Sequence, residues 1–318
     1  MKIIYMGTPQ FAVAPLRALG ETGHEIVGVV TRIDKPAGRG KTLHSAPVKL
    51  VAEEKGLKVF QPRRVRDAEF LEQVRILNPD IIVVAAFGQI LPKDILALPK
   101  LGCLNIHASL LPLYRGAAPI NWAIIRGESV TGVTIMKMDE GMDTGAILMQ
   151  DRVAIQPTDT AATLMEKLST LGAQMITTAL TLYEAGMISP IMQDGSRATL
   201  APLLKKENGI IDWTLSAIEI HNRVRGLLPW PGAYSFLDGK MLKIITTSVT
   251  EGNGVAGRLY EKDKNTLLAG TGNHLLRILT IQPEGKKPMS AAEFMRGYRG
   301  LTDKKFESRT IAPEGKKS

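Results

Sequence analysis

The first half of this chain alternates short apolar runs with helix-periodic segments, and few folds accommodate that rhythm. "KIIYMG" precedes "QFAVAPLRALGE", "HEIVGVV" precedes "PVKLVAEEKG", "KVF" precedes "DAEFLEQVRIL", and "DIIVVAAFG" precedes "KDILALP". Strands interleaved with helices build βαβ units, and the unbroken Ile and Val of "IIVVAA" predict strands covered on both faces. The expected class is α/β with a doubly wound parallel sheet.

The pattern then changes. After "CLNIHA" and the helical "APINWAIIRGE", two apolar runs, "VTGVTIMKM" and "GAILMQDRVAI", flank the Gly-rich "DEGMDTG" and predict a hairpin. A long helix follows, with Leu164, Leu168, Leu171, Met175 and Leu182 on its core stripe and Asp159 as its expected N-cap. Residues 190–206 lack sustained periodicity and contain Pro190, Gly195 and Pro202, which predicts a linker between a domain at 1–189 and another at 207–318. Apart from an early helix around "SAIEIHNRVRG", the second domain reads as short strands with Gly or Asp-Gly turns, the pattern of a small β-barrel. A length of 318 residues suits that division.

Composition narrows the setting. The single cysteine, Cys103, excludes an internal disulfide and a multi-cysteine zinc site, and its apolar context "LGCLNI" predicts a buried structural thiol. No segment is long and apolar enough to span a bilayer, and Gly7 to Gln10 interrupt any signal-peptide core, so a cytoplasmic location is expected. The net charge of +9 points to a polyanionic partner. Residues 205–318 carry 19 Lys plus Arg against 12 Asp plus Glu, whereas residues 1–204 carry 21 against 19.

The chemistry concentrates in "NIHASLLP". Asn105, His107 and Ser109 fall at every second position, so on a strand they share a face, and ligands in open α/β sheets bind beyond the carboxyl ends of strands. An imidazole can exchange a proton near neutral pH, and an amide can hydrogen-bond a developing oxyanion without becoming charged. The missing anion has three sources in "KMDEGMDTG": Asp139, Glu140 and Asp143, with Gly141 and Gly145 permitting close backbone approach. A metal site is not expected, because His24, His44, His221 and His274 are scattered and His107 lacks neighbours at ligand spacing. "MGTPQFA" is a strand followed by a Gly turn but not G-x-G-x-x-G, and there is no P-loop. The long loop "TRIDKPAGRGKTLHSAP" carries Arg32, Lys35, Arg39 and Lys41 against Asp34 alone, a composition suited to gripping phosphates.

Together, "MGTPQFA", "DKPAGRGK", "VVAAFGQILP", "NIHASLLPLYRGAAPINWAI", "GVTIMKMDEGMDTGAIL" and "RGLLPWPGAY" resemble the methionyl-tRNA formyltransferases, within the 10-formyltetrahydrofolate-dependent formyltransferase family. The resemblance spans essentially the whole chain. It implies a Rossmann-like N-terminal domain and a C-terminal OB-like β-barrel that helps hold tRNA. It implies a catalytic trio of Asn105, His107 and Asp143, with the formyl donor 10-formyltetrahydrofolate bound by Ser109, Leu110, Leu111 and Pro112 and by Phe87, Gly88, Gln89, Ile90 and Leu91. Arg32, Lys35, Arg39 and Lys41 become the tRNA contacts, Arg39 first among them. The partner implied is initiator methionyl-tRNA, the enzyme is expected to be a monomer, and no metal or membrane is involved. "NIHAS" stands where many members are expected to have "NIHPS", at a position pointing away from the trio. The same trio could serve an enzyme formylating an amino sugar or a glycinamide nucleotide, and the basic loop is the discriminating feature.

Overall fold

A computed structural model describes residues 1–37, 42–298 and 300–307, and the chain divides into two units. Met1–Pro119, Val130–Ala154 and Leu164–Pro202 form the first, and Ile120–Ser129, Ile155–Thr163 and Leu203–Ser318 the second. The chain runs β1 (Lys2–Gly7), α1 (Val13–Leu19), β2 (Glu25–Val30), β3 (Lys35–Ala37), β4 (Thr42–His44), α2 (Pro47–Glu54), β5 (Val59–Phe60), α3 (Ala68–Leu77) and β6 (Ile81–Ala85). It continues through α4 (Lys93–Leu96), β7 (Cys103–His107), α5 (Pro119–Ile125), β8 (Val130–Lys137), β9 (Ile147–Ala154) and α6 (Ala161–Glu184).

Among the described residues, the first unit's main sheet has the order β5-β2-β1-β6-β7-β8-β9. The strands from β5 to β7 run parallel, and β8 and β9 extend the sheet antiparallel, as the hairpin pattern predicts. The chain winds from β1 to β2 and β5 on one side, then returns to β6 beside β1. That reversal opens a crevice at the carboxyl ends of β1 and β6, the place where such sheets receive ligands. Ile4, Met6, Val30, Ile82, Val84, Phe87, Leu91, Ile95 and Cys103 form one core cluster against the sheet. The alternate residues Ile3 and Tyr5 are also fully buried, and the Tyr5 hydroxyl donates to the Ala12 carbonyl at 2.6 Å. Both faces are therefore covered, which explains the unbroken apolar runs.

On α6 the core stripe passes through Leu164, Leu168, Gly172, Ile176, Ala179 and Leu180, while Leu171 and Leu182 are half-buried at its margin. A Cβ on Gly172 would lie 2.8 Å from Ile106 Cγ2, so the helix packs closely over β7. The N-cap is Thr160 rather than Asp159: Thr160 Oγ1 accepts from the backbone N–H of Thr163 at 3.3 Å. Asp159 lies one residue earlier and braces the turn, its carboxylate accepting from Gln156 N–H at 2.7 Å and from the Thr163 hydroxyl at 3.1 Å. In the stretch 190–206, read from sequence as a linker, Ile191 bridges Ile147 and Leu200 bridges Arg115. Isolated bridges have no periodicity to betray them.

The second unit contains α7 (Ala217–Gly226), β10 (Ala233–Leu237), β11 (Lys240–Thr250), β12 (Leu259–Asp263), β13 (Thr266–Gly270), β14 (Leu275–Pro283), β15 (Met289–Ser290) and α8 (Ala291–Gly297). Ser216 and Glu219 cap α7 reciprocally, and Ser290 and Glu293 do the same for α8. The antiparallel sheet follows the order β10-β11-β14-β13-β12, with β15 beside β14. Its two end strands share a partner. Phe236 of β10 exchanges backbone hydrogen bonds with Glu307, while Leu259 N–H of β12 donates to Lys304 and Phe306 N–H donates to Gly257. Trp213 stacks on Phe306 at 4.8 Å and donates its indole N–H to Ser235, fixing that final segment to the core.

His221 of α7 is half-buried with Nδ1 3.0 Å from the Thr247 hydroxyl. Burial, reinforced by the Arg225 guanidinium, lowers its pKa below the ordinary 6.5. The unfolded chain therefore takes up the proton first, so the stability associated with neutral His221 is complete above that ordinary value and is lost as pH falls through it toward the folded pKa. The urea midpoint of wild type relative to His221→Gln should fall between about pH 8 and about pH 5. A pH-independent difference would refute this.

Candidate active site

β7 lies inside the sheet, between parallel β6 and antiparallel β8, and all five of its residues are buried. Asn105 pairs with Val84 and Met136, and His107 pairs with Thr134. The period-two geometry puts Asn105 and His107 on one face. Cys103 is on the same face nearer the strand's start, within the core cluster; burial pushes its thiol up to about 12, so it is an inert packing group.

His107 is 6% exposed, and its ring is held by a hydrogen bond at one nitrogen and faces a carboxylate with the other. Nε2 is 3.1 Å from the Tyr114 carbonyl, and because a carbonyl only accepts, Nε2 carries the proton of that bond. Nδ1 then faces the Asp143 carboxylate, 3.6 Å from Oδ2. The same Oδ2 accepts from Gly116 N–H at 2.8 Å. Asn105 is 9% exposed, and its carboxamide makes no hydrogen bond among the described residues. Its side-chain nitrogen and oxygen are not among the buried unpartnered atoms of the described residues, so the amide keeps solvent access and can donate to an incoming oxygen.

Of the three acidic candidates, only Asp143 reaches the imidazole. Asp139 accepts from Gly141 N–H and the Thr144 hydroxyl, at 3.0 and 2.6 Å, and shapes the loop; Glu140 faces Lys93 at 3.7 Å. Asp143 has φ of 54°, a left-handed conformation unfavourable for a side chain with a Cβ. Gly145 makes the loop possible: a Cβ there would lie 1.9 Å from the Lys137 carbonyl. Gly145→Ala must push the loop off β8, and a displacement of that order is expected to lower turnover by about 100-fold. Steady-state kinetics with an unchanged thermal midpoint would locate the damage in the loop; wild-type turnover would contradict it.

The remaining expected site residues divide. Ser109 is fully buried, and its hydroxyl is used internally on the Leu113 carbonyl at 2.6 Å. Leu111 is buried, and Leu110 and Pro112 are half-buried. Phe87 and Leu91 belong to the core, and the Phe87 carbonyl accepts from the Thr8 hydroxyl across the crevice at 3.2 Å. Gly88 has φ of 80°, the Gln89 side chain accepts from Val65 N–H at 3.1 Å, and Ile90 is left 89% exposed. Arg32 is exposed, its backbone held by Thr8 and Gln61. Lys35 begins β3, paired in register with His44, whereas Arg39 and Lys41 lie outside the described residues. No group of His, Cys, Asp and Glu among the described residues could hold a metal ion. None of the described helices is long and apolar enough to cross a membrane.

Sequence reasoning missed Tyr114, Arg115, Gly116 and Gln193. Tyr114 and Gly116 act through backbone atoms. The Arg115 guanidinium donates from Nε and Nη2 to Gln193 Oε1, at 3.2 and 2.7 Å. Gln193 Nε2 in turn donates to the Asp143 and Gly145 carbonyls at 2.9 and 2.7 Å. The clustering of Tyr114, Arg115 and Gly116 just after "NIHASLLP" is the one sequence cue that bears on them.

A mixed α/β sheet with an amide, an imidazole and a carboxylate gathered at the end of β7 is the framework of a formyl transferase. Residues 1–180 match the formyl transferase family, and residues 203–299 match the formyl transferase C-terminal domain. Methionyl-tRNA formyltransferase of Thermodesulfovibrio yellowstonii is 53% identical over 295 residues, covering 93% of this chain and 95% of the relative. The enzyme of that name from Caldanaerobacter subterraneus is 50% identical over 301 residues, covering 94% and 97%. The chain belongs to the methionyl-tRNA formyltransferase family. Its fold is shared with the N-formyltransferase of Helicobacter canadensis in complex with folinic acid and dTDP-3-aminofucose, at TM-score 0.67 and 20% identity over 89% of this chain and 99% of that one. HypX of Aquifex aeolicus in complex with tetrahydrofolic acid gives TM-score 0.64 at 18% identity over 92% of this chain and 46% of that chain.

Proposed function

We propose that this enzyme transfers the formyl group of 10-formyltetrahydrofolate to the α-amino group of methionine on initiator methionyl-tRNA. The observation that carries the reading is the His107 ring held between the Tyr114 carbonyl and Asp143, with the unpartnered Asn105 amide two residues away on the same strand face. The donor, when bound, supplies an electrophilic formyl carbon. Asn105 hydrogen-bonds the formyl oxygen as negative charge gathers on it, a stabilisation that grows toward the transition state. His107, with Nε2 already donating to Tyr114, uses Nδ1 to receive the proton lost by the attacking amine, directly or through water. Asp143 orients the ring and stabilises the resulting imidazolium, which gives that proton to the folate nitrogen as its bond to the formyl carbon breaks, so that the folate leaves protonated and His107 returns to its neutral state.

The proposal extends to the binding surfaces. Phe87, Gly88, Gln89, Ile90 and Leu91 bound the folate site at the crevice, with Ile90 as the open apolar contact and Phe87 and Leu91 anchoring the segment from the core. Ser109, Leu110, Leu111 and Pro112 form the opposing wall, Ser109 by fixing the turn rather than by touching the ligand. Arg32, Lys35, Arg39 and Lys41 contact tRNA from the domain at 1–189, which 190–206 joins to the basic domain at 207–318. In that second domain Lys304–Glu307, bonded to both end strands, gives the sheet an OB-like barrel form. The enzyme acts as a cytoplasmic monomer.

Formyl transfer from 10-formyltetrahydrofolate is tested with methionyl initiator tRNA, methionyl elongator tRNA and an amino-sugar nucleotide, using wild type and His107→Ala. Transfer confined to initiator tRNA and lost in the variant is the expected result. Transfer only to the amino sugar would overturn the substrate, and full activity in His107→Ala would overturn the site.

A further inference from the structure

We propose that Gln193, held by Arg115, is a positioning residue that fixes the Asp143 loop for formyl transfer. The inference rests on the catalytic reading of Asp143 given above. It starts from a strain. A non-glycine residue at φ of 54° persists only where its surroundings dictate it, and Asp143 is such a residue. The carboxylate end is fixed by Gly116 N–H, but one bond to a side chain does not define a main chain.

Gln193 supplies the rest. Its amide group donates one hydrogen to the carbonyl of Asp143 and the other to that of Gly145, spanning the turn. Its oxygen accepts twice from the Arg115 guanidinium, so the carboxamide is fully used. Arg115 is itself rigid: its N–H donates to the Thr199 carbonyl at 2.8 Å, and its carbonyl accepts from Ala201 N–H at 2.7 Å. Arg115 also lies between the residue whose carbonyl accepts the His107 hydrogen bond and the residue whose N–H donates to the Asp143 carboxylate. One anchored tripeptide therefore sets the imidazole, the carboxylate and, through Gln193, the backbone beneath that carboxylate.

The chemistry demands glutamine rather than a residue of that size. Glutamate would still attract Arg115 but would direct an acceptor at two carbonyl oxygens, reversing the clamp at nearly constant volume. Gln193→Glu should lower kcat by about 10-fold to 100-fold with KM for both substrates and the thermal midpoint little changed. Gln193→Ala should show the same kinetic split, which guards against a folding defect peculiar to the glutamate. Arg115→Met should resemble Gln193→Ala, and the double variant should be within about twofold of the worse single one, because the two act as a unit. Wild-type kcat in Gln193→Glu, a loss expressed only in KM, or multiplying losses in the double variant would each overturn the clamp. Asp143→Asn assayed alongside separates the two ideas. Full turnover there overturns the site itself, whereas loss there with full turnover in Gln193→Glu overturns the clamp alone.

Discussion

Asp143→Ala should slow formyl transfer by about 10²-fold to 10⁴-fold, the range spanned by loss of a positioned acid–base partner. The effect should appear in single-turnover transfer, with initiator-tRNA affinity close to wild type. The reason is local: Asp143 Oδ2 is the only described carboxylate at Nδ1 of His107, while Asp139 and Glu140 are committed to Thr144 and Lys93. Removing it leaves the ring held by Tyr114 alone and leaves the protonated state without a counter-charge. The loop should survive, because Gln193 grips its carbonyls and not its carboxylate. Single-turnover transfer within a few-fold of wild type would show that the imidazole works without this partner.

Asn105→Ala is expected to lower the transfer rate by about 10²-fold to 10³-fold, the loss observed when one preorganised oxyanion donor is removed. The amide is placed by strand pairing on both sides, so the substitution should leave β7 in register. Because its hydrogen bond strengthens as charge develops, the deficit should fall in kcat and spare folate binding. Asn105→Asp should be no better than alanine, since a carboxylate repels the developing negative charge. A defect confined to folate KM would recast Asn105 as a binding group.

The parts of this molecule readable in the sequence are those with local periodicity. The short apolar run "KIIYMG" marked β1, unbroken Ile and Val marked β6, and the Gly-rich break between two apolar runs marked the β8–β9 hairpin. Asn105 and His107 were legible because residue type and strand spacing coincide. The choice among Asp139, Glu140 and Asp143 was open on residue chemistry alone, since it depends on a left-handed turn that no composition specifies. Gln193 was illegible for a different reason: its partners are 48, 50 and 78 residues away, and its own neighbourhood is held by isolated bridges. Asp159 as an N-cap failed by one residue, because Thr160 has an equally suitable oxygen and Asp159 is used by the preceding turn.

The segment Lys304–Glu307 carries a consequence for the order of events during synthesis. Both end strands of the second unit's sheet reserve backbone hydrogen bonds for it, and the face of Trp213 stacks on its Phe306. These residues emerge from the ribosome long after β10, whose partner Glu307 lies 71 residues downstream of Phe236. Until then the nascent sheet has two unsatisfied edges and an unfinished core, the species most exposed to wrong pairing. Among the described residues, the strands of the first unit's main sheet are complete by residue 154, so that sheet can form while Leu203 onward, the bulk of the second unit, is still being translated. A ribosome stalled before residue 304 should therefore display a protease-resistant first unit followed by a protease-sensitive second.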